Sequence, residues 1–268
     1  MTTVQARAAG PGRLGQLRAA SPIIPFVVLL LIWAGIVAIF EPRTTTLPPI
    51  QRIANTAWSM ISDGSLWTNI LASLERLVYG AITGVVTGVV LGVIAGLNRR
   101  VAKFFEPLIM FFSGLSGIVW IPLAIAWLGI GRAMVIFVIW NSVFFLVFSN
   151  TMLGVQLVPR VLEDGVQTLG ASRWHTILHV TIPGALPNMM AGIRAGLGFG
   201  WRALIAAELV GASSGLGHMI YSASQYLRSD IIITGCIVIG LMGMTLDRLV
   251  LHRLEMRTIA RWGMVSDE

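Results

Sequence analysis

Residues 80–96 read GAITGVVTGVVLGVIAG, a charge-free run in which Gly80, Gly84, Gly88, Gly92 and Gly96 recur every four residues. At about 3.6 residues per turn, that period winds a smooth stripe slowly up one side of a helix. The run lacks the period-two alternation of a half-buried strand. Small residues spaced by four let helices approach closely in lipid. The stripe therefore reads as a packing face, toward a neighbour in the same subunit or toward a second copy. Lining a solute path is its sharper alternative.

Working outward, the apolar run covers 77–97 and ends at Asn98-Arg99-Arg100. A span of hydrocarbon needs roughly 20 residues, and five further segments come near that length: 23–40, 104–128, 134–153, 191–211 and 231–246. The 268-residue chain is 56% hydrophobic and 12% charged, with mean hydropathy +0.81, against about 25% charged residues in soluble domains. Only helices and closed barrels satisfy backbone groups in lipid. The expected fold is all-α: a polytopic membrane protein with six transmembrane helices, one N-terminal and five in a core.

Arginine placement orients it. With the N-terminus inside, one side holds Arg7, Arg13, Arg18, Arg99, Arg100, Lys103, Arg160, Arg173, Arg253, Arg257 and Arg261. The other holds Arg43, Arg52, Arg132 and Arg228. Both termini are expected in the cytoplasm, and the net charge of +7 is mostly this bias. No basic surface is interleaved with exposed aromatics, so nucleic acid is not an expected partner. The first segment has too many apolar residues for a signal-peptide core and reads as a retained helix. The expected layout is a tail over 1–22, a first helix and outer loop over 23–68, a core over 69–250 with a cytoplasmic loop at 154–190, and a tail over 251–268.

Catalytic signatures are missing. Lys103, the only lysine, follows Val101-Ala102 and closes no phosphate loop. No G-x-S-x-G elbow or HExxH occurs. Cys236 is the sole cysteine, which excludes an intrachain disulfide. His175 and His179, at i and i+4, make a poor metal site without a further ligand and read as a solvated or partner-facing pair. No metal or cofactor is expected on this chain.

Intramembrane polar groups are functional candidates by default. Glu208 lies near the outer end of the fifth span, as an ion pair, an interface residue or a gate. Arg202, six residues before it, falls elsewhere on the helix. Asn141 in the fourth span, with Trp120, Pro122 and Trp127 in the third, completes the candidate lining of a path.

The polar stretch 163–187, EDGVQTLGASRWHTILHVTIPGALP, interrupts this apolar chain. Pro159 can open a helix, Leu162, Val166 and Leu169 share a face, and Gly170 can close it with positive φ. Ser172 caps a second short helix, expected from Arg173 to about Val180 and ending before Pro183. The apolar face of the first helix is too small to bury alone and is suited to docking.

This stretch resembles the cytoplasmic loop of permease subunits of bacterial binding-protein-dependent ABC importers, E-A-A-x-x-x-G, nine residues, then I-x-L-P. Asp164 takes the place of the glutamate, Gly165 and Val166 those of the alanines, and Gly170 matches. Val180, Thr181, Ile182 and Pro183 fill I-x-L-P. NILASLERLVYG, WIPLAIAWLGIGRAM, AAELVGASSGLGHMI and LDRLVLHRLE resemble the nitrate/sulfonate/taurine/bicarbonate branch. SGLSGIVWIP carries Ser and Gly where many relatives carry prolines. The resemblance implies a coupling helix seated on a separate ABC ATPase, two copies of which bind ATP and Mg. It also implies a second permease subunit, expected to be identical, an extracytoplasmic solute-binding protein, and residence in the bacterial inner membrane. In that role Asp164, Gly165 and Gly170 shape the corner, Leu162, Val166, Leu169 and Trp174 pack on the ATPase or brace the bundle, and Pro183 ends the motif. The implied solute is a small anion such as a sulfonate, taurine or nitrate, with a cyclic or aromatic compound or vitamin precursor as the alternative. A secondary transporter or channel is the competing class.

Overall fold

The computed structural model describes residues 24–40 and 42–251, and the two expected tails lie outside them, apart from Leu251. Among the described residues all regular structure is helical. Helix α1 covers Ile24–Phe40, α2 Ile50–Ser62 and α3 Ser65–Leu97. Next come α4 over Arg99–Ser113, a tight turn at Gly117–Trp120, and α5 over Ile121–Leu128. Helix α6 is Arg132–Leu157, α7 Arg160–Thr168 and α8 Arg173–Thr176. A widened turn at Ile177–Thr181 leads into α9, Ile182–Gly211, then α10, Leu216–Gln225, and α11, Ser229–Thr245.

Helices α3, α6 and α9 form the core, and glycine explains how. A Cβ placed on Gly80, Gly84, Gly88, Gly92 or Gly96 would meet Ile139, Val143, Val147, Thr151 or Val155 of α6 at 2.6–2.9 Å. Both series climb by four, so the two helices run parallel with their backbones nearly touching. On the opposite side, Gly200 abuts Val143 and Gly192 abuts Asn150, so α9 runs antiparallel to α6. Val135, Val138, Ile139, Val143 and Val147 are wholly buried between the two glycine faces. The stripe is thus an intrasubunit packing face. Two hydroxyls of α3 are satisfied locally, as lipid demands: Thr83 and Thr87 donate to the carbonyls of Tyr79 and Thr83 at 2.7 Å.

This geometry predicts opposite signs for one substitution at two sites. At Gly92, the added methyl of Gly92→Ala meets Thr151 Cβ at 2.7 Å and the Phe148 carbonyl at 2.9 Å, neither of which can swing away. We expect a loss of about 1–3 kcal/mol from overpacking. At Gly240 nothing lies within 4 Å, so Gly240→Ala should be neutral or gain up to about 1 kcal/mol of helix propensity. Thermal unfolding of the two variants in one detergent checks both; a common sign would refute the ladder as the packing determinant.

Among the described residues the spans are not all straight. Three helices among the described residues are long and apolar enough to cross, Ser65–Leu97, Arg132–Leu157 and Ser229–Arg248, and counting each of two bent pairs as one span makes five. Helix α1 is described over 17 residues, all of them uncharged. The expected third span, 104–128, is broken by 89° between α4 and the segment Gly117–Leu128. Ser116 is extended there (φ −59°, ψ 140°), and Pro122 lies in the first turn of α5, where its missing N–H costs nothing. The expected second span starts at Ser65 instead of Leu77. Asp63 accepts the Ser65 N–H at 2.8 Å ahead of that start, and the Ser65 bonds hold its carboxyl below the usual range.

Nor does the second short helix stop before Pro183. The helix runs on from Arg173 through the widened turn into α9, and Ile182 keeps α geometry (φ −65°, ψ −49°). A proline ring collides with the carbonyl four residues back. That carbonyl belongs to His179, inside the widened turn, which relieves the collision. The fifth span consequently starts at Ile182, nine residues ahead of the expected Ala191.

Candidate functional site

The polar stretch closes as a rigid corner. Helix α7 follows an extended Pro159 (φ −62°, ψ 124°). It ends with Gly170 at φ +90°, whose N–H donates to the Gln167 carbonyl at 2.9 Å while the Ala171 N–H reaches Val166 at 3.3 Å. This pair of bonds satisfies the orphan carbonyls of a helix end. Ser172 then accepts the His175 N–H at 3.3 Å as the cap of α8. Glu163 ties the two arms, accepting from the Thr181 hydroxyl at 2.7 Å. Asp164 and Gly165 are exposed beside it. The corner presents apolar side chains outward: Leu169 is 87% and Trp174 75% exposed, with Leu162 at 53%. Val166 and Pro183 are half-buried. The imidazoles of His175 and His179 stack at 4.0 Å, and His179 Nδ1 lies 3.1 Å from the His175 carbonyl.

A second constellation lies at the other end of the core. Glu208 has no exposed surface and pairs with Arg76 of α3, Nη1 to Oε1 at 2.7 Å. Arg76 also donates to the carbonyl and hydroxyl of Ser214 at 2.7 and 2.6 Å. The Ser73 hydroxyl lies 2.8 and 2.9 Å from the two Glu208 oxygens, donates to one, and accepts the Leu216 N–H at 2.9 Å. The Gly217 N–H reaches Glu208 Oε2 at 3.0 Å, and the Gly215 N–H reaches Asn69 Oδ1 at 2.9 Å. The network clamps α3 to the 42° bend between α9 and α10. Nearby, Asp230 at the head of α11 takes bonds from Arg228 and from Thr56 of α2.

The third feature is the break in the third span. A cleft of about 280 Å³ opens there, lined by Phe112, Ser116, Gly117, Asn141, Ser142 and Phe199, among others. Trp120 packs at a tilt against Phe112, ring centroids 5.7 Å apart, and its indole N–H is buried without a partner. Asn141 and Trp120 thus flank the break, with the exposed Pro122 just beyond. Trp127, 62% exposed, lies further along α5, and Glu208 sits in its closed network instead of on this cleft.

The sequence reading did not find Arg76 as the partner of Glu208, nor the brace from Glu163. The signal for the first was present: Arg76 immediately precedes the apolar run 77–97, and a charge that interrupts a helix in lipid needs a counter-charge.

Broken and bent spans around a glycine-laddered core, with an exposed capped corner between two of them, define a multi-pass membrane protein of the transport-permease class. The family model described as binding-protein-dependent transport system inner membrane component matches residues 88–253, and the chain belongs to that family. It is 33% identical over 244 residues to the taurine transport system permease protein TauC of Escherichia coli K12, covering 89% of this chain and 88% of TauC. It is 30% identical to the nitrate import permease protein NrtB of Synechococcus elongatus, covering 85% and 88%. Among solved structures, an inward-facing MetNI methionine ABC transporter shares the fold at TM-score 0.52 and 18% identity, over 73% of this chain and 96% of that one. The chain is an ABC importer permease subunit.

Proposed function

We propose that this subunit, with a second copy of itself, forms the path for a small anion such as a sulfonate, taurine or nitrate. A separate ATPase, two copies carrying ATP and Mg, docks on the α7–α8 corner, and an extracytoplasmic binding protein delivers the solute. The termini and the corner face the cytoplasm, in a chain laid out as a tail over 1–22, a first helix and outer loop over 23–68, a core over 69–250 and a tail over 251–268. The observation that carries this reading is the corner itself, braced by Glu163–Thr181 and capped at both helix ends, yet with Leu162, Leu169 and Trp174 in the open. Unpartnered apolar side chains on a rigid support are what a docking surface requires. The anion follows from the names of the taurine and nitrate relatives.

The test is recovery of the tagged chain from native membranes in mild detergent, with bound proteins identified by mass. A phosphate-loop ATPase should come with it, and vesicles holding the complex and its binding protein should take up anion only with ATP. Solute movement by the chain alone, without ATP, would make it a channel or secondary transporter instead.

A further inference from the structure

Buried polar groups in lipid find partners, and most along these helices do: Asn150 donates to the Leu146 carbonyl at 2.8 Å and Trp140 to the Thr87 hydroxyl at 3.1 Å, while the Thr151 hydroxyl and the Trp120 indole N–H go without. Asn141 joins Trp120 as an unpaired group beside the broken span. It is 5% exposed, lines the cleft, and its carboxamide makes no hydrogen bond with any described residue. An amide carries two donors and an acceptor, and this one faces the cleft with all of them free for a partner from outside the fold. The Ser116 hydroxyl, also on the cleft, is equally unused. Beside it the helical stretch Gly117–Leu128 begins, and the N–H groups of its first turn have no partner within the helix. Ser113 and Ser142 already donate to their own helix carbonyls.

The chemistry of the lining selects a ligand. Its free groups are neutral donors gathered at the positive end of a helix, with no charged residue among them. Phe112 and Phe145, stacked at 5.4 Å, form an apolar wall with Phe199. Neutral donors hold an oxyanion while letting it leave, as transit requires. The aromatic wall asks for carbon, which a bare inorganic anion lacks.

We propose that the cleft binds a short-chain alkanesulfonate in transit. Its oxygens meet Asn141, the Ser116 hydroxyl and the first-turn N–H groups of Gly117 and Ile118, and its carbon chain lies on Phe112 and Phe145. This rests on the importer reading above.

The test uses the complex with its ATPase and binding protein in proteoliposomes, with radiolabelled ethanesulfonate as probe. Asn141→Leu should lower ATP-driven uptake about tenfold to a hundredfold, as expected for losing hydrogen bonds to a charged group. Asn141→Asp should be worse at pH 7, where a carboxylate faces the sulfonate. It should recover, relative to wild type at each pH, as acid returns the side chain to a neutral donor. A merely structural asparagine gives no such recovery, and recovery shows that the variant is folded. Wild-type uptake in Asn141→Leu, or an Asn141→Asp deficit that acid does not lift, overturns the site. ATP-driven uptake of another solute with ethanesulfonate ignored overturns the ligand class and leaves the importer reading intact. Absence of any ATP-driven uptake by the wild-type complex overturns both.

Discussion

Glu208→Ala should destabilise the subunit by about 3–5 kcal/mol, because it strands the Arg76 guanidinium among buried groups. The guanidinium keeps only the carbonyl and hydroxyl of Ser214, while the Gly217 N–H and Ser73 hydroxyl lose their acceptor. A loss of that size would lower the Tm in detergent by roughly 10 °C on the scale of folded domains. Glu208→Gln keeps an acceptor of the same shape and should fall between. The sharper check is the double variant Arg76→Met/Glu208→Leu, which removes both charges together. Replacing a whole buried pair by apolar residues is often neutral, so it should melt well above Glu208→Ala. Equal melting of Glu208→Ala and wild type would mean that the clamp between α3 and the α9–α10 bend holds nothing.

The glycine ladder was legible because its information is local: five glycines at one spacing declare a face, whatever packs there. The corner was legible for the same reason, since the helix ends at Gly170 and Ser172 are closed by bonds between residues three to five positions apart. The Arg76–Glu208 pair is not local, its members standing 132 positions apart. Each charge alone reads as a blemish in a span. The broken third span was hidden by hydropathy, which measures how apolar a segment is but not its direction; α4 and α5 are both apolar and differ by a right angle. Pro183 misled in the opposite way. Its local rule ends a helix, but a widened turn let α9 continue because Ala185 and Met189 bury themselves against the core.

Gly170→Glu should reduce ATP-driven uptake to that of vesicles lacking the permease, with membrane insertion unchanged. Two causes act at this position, and they can be separated. At φ +90° any side chain strains the backbone, by roughly 1–2 kcal/mol, and loosens the bonds that close α7. An added Cβ meets nothing within 4 Å, so the chain itself has room for the substituent. Gly170→Ala therefore carries the strain alone and should retain part of the uptake. Glutamate adds charge and bulk beside Leu169, on the face proposed to meet the ATPase. A docked loop moves the bundle only through contacts that differ between the ATPase's two states, so a corner held off its partner transmits nothing. The ATPase should then hydrolyse ATP without response to solute and should be lost from the tagged complex in mild detergent. Normal solute-stimulated hydrolysis in the Gly170→Glu complex would move the coupling contact elsewhere on the chain. The stretch from His175 of α8 to His179 in the widened turn is the next surface to test, because the turn continues directly into α9 and would pass a push at Thr181 straight along the helix that bears Glu208.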